Sequence, residues 1–129
     1  MYGRRRRYVF YAPMIVDDAQ TANAIRRQAD VVDALALVPS VTITMVAIGA
    51  WAPGLSTIYD ACSPGERDAI ARLGVCAEMA GVFLGEDGPP VETALDSRMI
   101  VTPGSALAKI PFVMPLPTAS PRASRSAPA

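Results

Sequence analysis

The chain has 129 residues, of which 51% are apolar and 6% aromatic, and its 12 basic and 12 acidic residues cancel to no net charge. This length fits one domain with a buried core, and so few aromatic residues disfavour a stacking platform for single-stranded nucleic acid. The chain has no histidine, which removes the commonest general base and the commonest metal ligand at neutral pH.

The basic residues are concentrated near the two ends of the chain. Six of the 12 are found there: Arg4, Arg5, Arg6, Arg7, Arg122 and Arg125. Residues 8–115 therefore hold six basic residues against all 12 acidic ones, a net charge of −6. Because an acidic body binds a phosphate backbone poorly, we interpret residues 1–7 as a basic leader and expect no direct contact with nucleic acid.

The basic leader is followed by an apolar segment, residues 8–16, that superficially resembles a secretory signal. This segment is short, contains Pro13, and meets Asp17 and Asp18 where a signal peptide needs small residues. We therefore predict a strand that enters the domain. No segment approaches the roughly twenty apolar residues that span a bilayer, so we expect a cytoplasmic protein without membrane contact.

The two cysteines, Cys62 and Cys76, lack a second pair that could complete a zinc site. A disulfide between them is the less favoured alternative, because disulfides are rare in the cytoplasm. We expect two reduced thiols, with Cys76 buried, and neither a metal nor a cofactor.

Two helices are predicted before the first long strand. Asp17 or Asp18 can cap a helix over residues 19–28. A second helix is predicted over residues 31–38, where the apolar residues share one face and Pro39 follows. Both helices are interpreted as structural.

Residues 41–50 form the strongest predicted strand. They are apolar on both faces near the carboxyl end, which is typical of a central parallel strand that is covered on both sides. Gly49 then permits a sharp turn, and ligands of open parallel sheets bind beyond the carboxyl ends of the strands. Residues 49–57 are therefore the first candidate ligand site, and the alternative is an ordinary connection with a glycine turn.

The next helix has a clear predicted start, because Ser63 and Glu66 match a capping box with Pro64 between them. A second strand is predicted over residues 75–84, and it carries Glu78 among apolar residues. A carboxylate in such a place must be hydrogen-bonded, paired or solvated. Glu78 is therefore a candidate acceptor for ligand hydroxyls, and the alternative is that it faces solvent.

The remaining predicted elements are shorter. Residues 85–90 form a turn, residues 98–101 a strand, and residues 102–109 lead into a short helix. A last strand entry over residues 110–114 ends at Pro115. From there to residue 129 the composition is mainly Pro, Ala, Ser and Arg, which predicts disorder.

Taken in order, these features resemble the effector-binding domain of SorC/DeoR-type bacterial transcriptional regulators. Each matching piece is weak alone, but their order and spacing together cover about residues 8–114. The pieces are Tyr11-Ala12-Pro13, Val16-Asp17-Asp18, Val46 to Ala50 with Ser56, Ser63 to Arg67, Gly74 to Gly81, Asp87-Gly88, Pro90-Val91, Leu95 to Ile100, and Ile110-Pro111.

The resemblance implies an α/β fold similar to the NagB/RpiA/CoA-transferase class, a parallel sheet flanked by helices. It implies a ligand-binding rather than a catalytic domain, with a sugar or sugar phosphate as the ligand. Glu78 would contact the sugar hydroxyls, and Gly49 and Ser56 would border the same cleft. In intact members of the family, the resemblance implies a homo-oligomer.

Several departures from the family pattern predict an incomplete domain. The amino-terminal helix-turn-helix and the Gly/Thr-rich phosphate loop are missing, and Asp60 stands where some members have a basic residue. A phosphate ligand is therefore disfavoured. After Met114 one codon choice for the tail, read in another frame, resembles the expected continuation. We therefore expect residues 115–129 to be a frameshift product, which sequencing of the coding DNA would test.

Two other function classes remain open at this stage. An isomerase or transferase of sugar phosphates on the same fold would have to use Glu78, Asp60 or Lys109 as its acid or base. A non-functional fragment would lack half of its sheet, and it would show no cooperative thermal transition.

Overall fold

A four-stranded sheet forms the centre of the protein in the computed structural model, which describes residues 6–117. The strands are β1 (Ile43–Ala50), β2 (Val75–Met79), β3 (Val82–Gly85) and β4 (Phe112–Pro117), in the spatial order β3-β2-β1-β4. β4 is parallel to β1, whereas β2 is antiparallel to both β1 and β3. The predicted α/β class is confirmed, and the sheet is mixed where a parallel one was expected.

Within residues 6–117, five α-helices and two short 3₁₀ turns accompany the sheet. The helices are α1 (Ala19–Arg26), α2 (Ala29–Ala36), α3 (Thr57–Ala61), α4 (Pro64–Arg72) and α5 (Gly104–Leu107), and the 3₁₀ turns are Val38–Ser40 and Asp96–Arg98. α1 begins where predicted, because the Asp18 side chain accepts a hydrogen bond from the Thr21 backbone N–H at 2.7 Å. α2 lies two residues earlier than predicted, since the residues around Pro39 form a 3₁₀ turn instead.

The prediction of one continuous strand over residues 75–84 is wrong, because a tight turn divides it into β2 and β3. Ala80 and Gly81 both have positive φ, at 50° and 85°. Two such residues between antiparallel strands are typical of the hairpin turn that matches the twist of a sheet. The turn therefore makes β3 the antiparallel neighbour of β2.

The predicted strands over residues 8–16 and 98–101 are also wrong. They meet only at an isolated antiparallel bridge between Ile15 and Met99. Two backbone hydrogen bonds form this bridge, from the Val16 N–H to the Arg98 carbonyl at 3.0 Å and from the Ile100 N–H to the Met14 carbonyl at 2.9 Å. The Arg98 guanidinium adds a third, to the Val16 carbonyl at 2.8 Å. Pro13 has no N–H to donate and α1 begins soon afterwards, so the segment is too short for a longer ladder.

Most of the buried apolar residues within residues 6–117 belong to two clusters. One involves the hairpin, α3 and α4, and its members are Ile58, Cys62, Ile70, Val75, Phe83, Leu95 and Met99. The other joins α1 and α2, and consists of Ala22, Val31 and Ile100. The prediction that Cys76 is buried is wrong, because Cys76 is exposed, and Cys62 is the buried cysteine. Burial raises the pKa of the Cys62 thiol.

The prediction that β1 is covered on both faces is wrong for much of its length. Ile43 and Met45 are exposed, at 63% and 66%. Alternation along the strand places them on one face with Ala47, which is also exposed. The parallel register continues this face onto β4, and the six residues, called here the apolar strip, are Ile43, Met45, Ala47, Phe112, Met114 and Leu116.

β4 continues through Pro117, although disorder was predicted from Pro115 onward. The Phe112 N–H donates to the Thr42 carbonyl at 3.1 Å, so Phe112 and every second residue after it direct their N–H toward β1. Pro115 and Pro117 occupy the alternate positions, where no bond to β1 is lost. Residues 1–5 of the predicted leader and residues 118–129 of the predicted tail lie outside the described residues.

α4 begins with the predicted capping box. The Ser63 side chain accepts from the Glu66 N–H at 3.3 Å, and the Glu66 carboxylate accepts from the Ser63 N–H at 2.9 Å. The same carboxylate forms an ion pair with Arg98 at 2.5 Å. The pKa of Glu66 therefore lies below its ordinary value of 4.5, first through the hydrogen bond from Arg98 and then through the Ser63 N–H.

We predict that Glu66→Gln reduces the loss of stability at acid pH. A carboxyl with a lowered pKa in the folded state stabilises above 4.5, and this stabilisation is lost as the pH falls through the folded-state pKa. Glutamine can preserve the capping box with its one oxygen, so the substitution removes the charge and the acceptor that face Arg98. The remaining pH dependence includes that of Asp18, whose pKa is lowered chiefly by the hydrogen bond from the Thr21 backbone.

The measurement is urea unfolding at pH 7 and pH 3, followed by the fluorescence of the single tryptophan, Trp51. Glu92→Gln, at an exposed position, is the control and is expected to retain the pH dependence of the unchanged protein. An identical loss of stability in Glu66→Gln and in the unchanged protein would contradict the prediction.

Candidate functional site

The three predicted ligand-binding residues come together at the carboxyl end of β1. Gly49 on β1 lies opposite Glu78 on β2 in the antiparallel register. The Ser56 hydroxyl, at the start of α3, donates to Oε1 of Glu78 at 3.0 Å. Residues that are as many as 29 positions apart in the sequence therefore form one cluster.

Gly49 is required by the path of the loop that follows β1. A Cβ atom at this position would lie 1.9 Å from the carbonyl oxygen of Leu55. Real side chains do not tolerate such a contact with backbone, so the loop can fold back over the end of β1 only because glycine stands here. This return brings Ser56 to Glu78.

The Glu78 carboxylate is almost fully enclosed, and both of its oxygens accept hydrogen bonds. Glu78 is 8% exposed and Ser56 is 4% exposed. Oε1 accepts from Ser56, and Oε2 accepts from the backbone N–H of Gly81 in the hairpin turn at 3.2 Å. The alternative that Glu78 faces solvent is therefore wrong. Buried carboxylates are stable only with such partners.

Ser56 has a second role that the sequence analysis missed. Its side chain also accepts from the Tyr59 N–H at 3.1 Å, which caps the short helix α3. α3 has five residues, Thr57–Ala61, too few for a helical periodicity to appear in the sequence. The sequence signal for this capped helix is a serine followed by a stretch that contains neither glycine nor proline.

An aromatic group holds the loop between β1 and α3. The ring of Trp51 lies 5.0 Å from the ring of Tyr59 and 5.5 Å from that of Phe83, each in an edge-to-face arrangement. The Trp51 indole N–H donates to the Arg67 carbonyl at 3.2 Å. The Arg67 guanidinium lies 4.7 Å from the Tyr59 ring centroid and donates to the Tyr59 carbonyl at 2.7 Å.

Asp60 and Lys109, the other two candidates for acid–base chemistry, are exposed, in contrast to the buried Glu78. Asp60 is exposed, and its Oδ1 accepts from the Gly54 N–H at 3.0 Å, which closes the loop. Lys109 is exposed just after α5. Within residues 6–117, no group of His, Cys, Asp and Glu side chains has the arrangement needed to hold a metal ion.

A separate cleft of about 400 Å³ opens beside the hairpin turn. Its lining includes Gly81 and Phe83 and the charged residues Arg26, Glu92 and Asp96, but not Gly49, Ser56 or Glu78. The Arg26 guanidinium donates to the main-chain carbonyls of Asp96 and Met99. In this structure its hydrogen bonds therefore hold α1 against the 3₁₀ turn.

Residues 4–116 match the sequence family described as "Putative sugar-binding domain". The chain belongs to this family of sugar-binding domains. The match spans nearly all of the described residues, including the cluster of Gly49, Ser56 and Glu78, and the predicted sugar-binding domain is confirmed. No curated protein matches the chain closely enough to support a relationship.

Solved structures of bacterial regulators share the fold of this sugar-binding domain. A transcriptional regulator from Streptococcus pneumoniae superposes with a TM-score of 0.75 at 16% identity, covering 84% of this chain and 42% of that one. A DeoR family regulator from Listeria monocytogenes gives 0.73 at 19% identity, with coverage of 84% and 44%. The full-length sorbitol operon regulator SorC from Klebsiella pneumoniae gives 0.71 at 17%, with coverage of 80% and 33%.

The chain thus spans less than half the length of each of these regulators. At such low identity the similarity establishes the fold alone. No helix among residues 6–117 has the length and apolar character that crossing a membrane requires.

We predict that Ser56→Ala destabilises the sugar-binding domain more than Ser63→Ala does. Both serines cap a helix, and losing a cap costs about 1 kcal/mol. Only Ser56 also donates to a buried carboxylate, and leaving such a group short of a partner costs about 1–3 kcal/mol more. Urea unfolding followed by Trp51 fluorescence measures both variants. Equal losses in the two variants would show that the Ser56–Glu78 hydrogen bond adds no stability.

Proposed function

We propose that this chain is part of the effector-binding domain of a bacterial transcriptional regulator, and that it binds a sugar or sugar alcohol at the cluster of Gly49, Ser56 and Glu78. The observation that carries the proposal is the enclosed Glu78 carboxylate at the carboxyl end of β1. Ligands of parallel α/β sheets bind at this end of the strands, and β1 is parallel to its neighbour β4.

The chemistry of a carboxylate suits this ligand class. An ionised carboxylate only accepts hydrogen bonds and offers about four lone-pair positions. In Glu78 two hydrogen bonds have been described, from Ser56 and from Gly81. The remaining positions can accept from neighbouring hydroxyls of a sugar, and a charged acceptor in an enclosed site forms strong hydrogen bonds.

The charges around the loop favour an uncharged ligand over a phosphorylated one. Glu78 and Asp60 are both acidic and would repel a phosphate group. Arg67 is the basic residue that contacts this loop, and its guanidinium is engaged by the carbonyls of Tyr59 and Asp60. The name of one structural neighbour, a sorbitol operon regulator, agrees with a sugar alcohol as one candidate.

Binding without turnover is the second part of the proposal. Glu78 is enclosed by its partners, whereas Asp60 and Lys109 are exposed and Asp60 closes its own loop. In a complete regulator, a homo-oligomer in the cytoplasm, the ligand would act by binding one domain arrangement more tightly than another.

The test is calorimetric titration of the 129-residue chain with a panel of sugars, sugar alcohols and their phosphates. We expect one uncharged member of the panel to bind, and Glu78→Gln to weaken that binding at least tenfold, about 1.4 kcal/mol. Glutamine removes the charge. Its NH₂ group also replaces the second carboxylate oxygen, and it cannot accept a hydrogen bond there.

Asp87→Asn is the matched control, because Asp87 is an exposed acid in the turn after β3. Trp51 fluorescence confirms that each variant is folded before titration. Equal affinity in Glu78→Gln and the unchanged protein would exclude Glu78 as the ligand acceptor. Conversion of a sugar phosphate during the incubation, lost in Glu78→Gln, would favour the enzyme alternative.

A further inference from the structure

The cleft beside the hairpin turn has the size of a small-molecule site. Its volume of about 400 Å³ lies within the range of ligand pockets in proteins, roughly 300–1,000 Å³. Part of its lining is one apolar cluster of side chains, formed by Phe83, Val91, Met99 and Val101. Ligand pockets combine such an apolar lining with a few polar groups that orient the ligand, so the charged residues of the cleft indicate what it can bind.

Two glycines fix one wall of the cleft. Gly81 has a φ of 85°, and a Cβ atom there would lie 2.7 Å from Cγ1 of Val101. A Cβ atom at Gly104, the first residue of α5, would lie 3.2 Å from Cγ2 of Val82. The hairpin turn and the segment that leads into α5 therefore pack together more closely than larger residues would allow. Because this wall is formed without a ligand, binding does not have to order it.

The Arg26 side chain, in the last turn of α1, lines the cleft and forms no ion pair within residues 6–117. Its guanidinium donates to the Asn23 side-chain oxygen at 2.9 Å and to the main-chain carbonyls of Asp96 and Met99. All three acceptors are uncharged, so they leave the positive charge without a counter-charge. A guanidinium has five N–H donors, and these bonds leave some of them for a ligand. Arg26 can therefore bind a carboxylate in the cleft.

Two carboxylates line the same cleft, those of Glu92 and Asp96. Glu92 is exposed, and its carboxylate has no partner in the part of the chain that the structure describes. The Asp96 carboxylate accepts from the Thr93 N–H at 3.1 Å and from the Thr93 hydroxyl at 3.2 Å, one hydrogen bond to each oxygen. A carboxylate offers about four acceptor positions, so both groups can accept further hydrogen bonds. The cleft therefore presents charges of both signs beside an apolar lining.

We propose that this cleft is a second ligand site, which binds a zwitterionic α-amino acid with an apolar side chain. Arg26 holds the carboxylate of the amino acid, Glu92 and Asp96 hold its ammonium group, and the apolar lining takes its side chain. A zwitterion suits this lining better than an anion or a cation, because each of its charges meets a charge of opposite sign. The lining contains none of the three residues of the proposed sugar site, so the two proposals can fail separately.

The first test is calorimetric titration of the unchanged 129-residue chain with L-leucine, L-methionine and L-phenylalanine, without sugar. We expect at least one of them to bind, and its amide and its N-acetyl derivative to bind at least tenfold more weakly. The amide lacks the carboxylate that Arg26 holds, and the N-acetyl derivative lacks the ammonium group that Glu92 and Asp96 hold. The proposal would be overturned by the absence of binding for all three amino acids, or by a derivative that binds as tightly as its parent amino acid.

The second test repeats the titration with Arg26→Gln. We expect this substitution to lower the affinity for the amino acid to about that of the amide, because the variant has no positive charge to hold the carboxylate. Arg27→Gln, at the exposed neighbouring position, is the matched control and should bind the amino acid like the unchanged protein. Trp51 fluorescence confirms that both variants are folded. Unchanged affinity in Arg26→Gln, or an equal loss in Arg27→Gln, would overturn the proposal.

Discussion

The buried carboxylate of Glu78 is the interaction on which the arrangement of the site depends. It draws together the β2 strand, the hairpin turn at Gly81 and the start of α3 at Ser56. A buried charge that loses a partner is strongly destabilising, so these segments are held in one arrangement. The loop can reach Glu78 only by crossing the end of β1, and Gly49 provides the space. In the proposed site, stability and ligand binding would therefore depend on the same few atoms, so that a substitution there would change both.

The features that sequence predicted well are those decided by neighbours in the chain. The capping box of Ser63 and Glu66 and the cap at Asp18 form between residues three apart, so the residue types alone indicate where α1 and α4 begin. The convergence of the site was predicted in part. The rule for strand ends indicated residues 49–57, and a carboxylate among apolar residues made Glu78 a candidate. The expectation that Gly49, Ser56 and Glu78 border one cleft rested on the family resemblance. The residue pattern alone did not indicate whether the Glu78 side chain points into the protein or toward solvent.

The features that sequence predicted badly are those decided across the sheet. Ala80 adopts a positive φ although alanine is not a typical turn residue, so the hairpin was not recognised. The prolines of β4 suggested that the ordered part of the chain ends at Pro115. They are tolerated because they occupy the alternate positions of β4, whose N–H groups would not point toward β1. The uncovered face of β1 was missed because apolar side chains at Ile43 and Met45 indicate burial, whereas their exposure depends on which elements pack there.

The parallel pairing of β1 with β4 also bears on how the chain folds. Ile43 pairs with Phe112, 69 residues later, whereas the β2–β3 hairpin closes over two residues. Closing a long loop costs chain entropy before any contact compensates for it, and such non-local pairings slow folding. The hairpin and the capped helices can therefore form early, with β4 docking late. Until it docks, β1 has one unpaired edge, which makes this interval the period most open to misassembly.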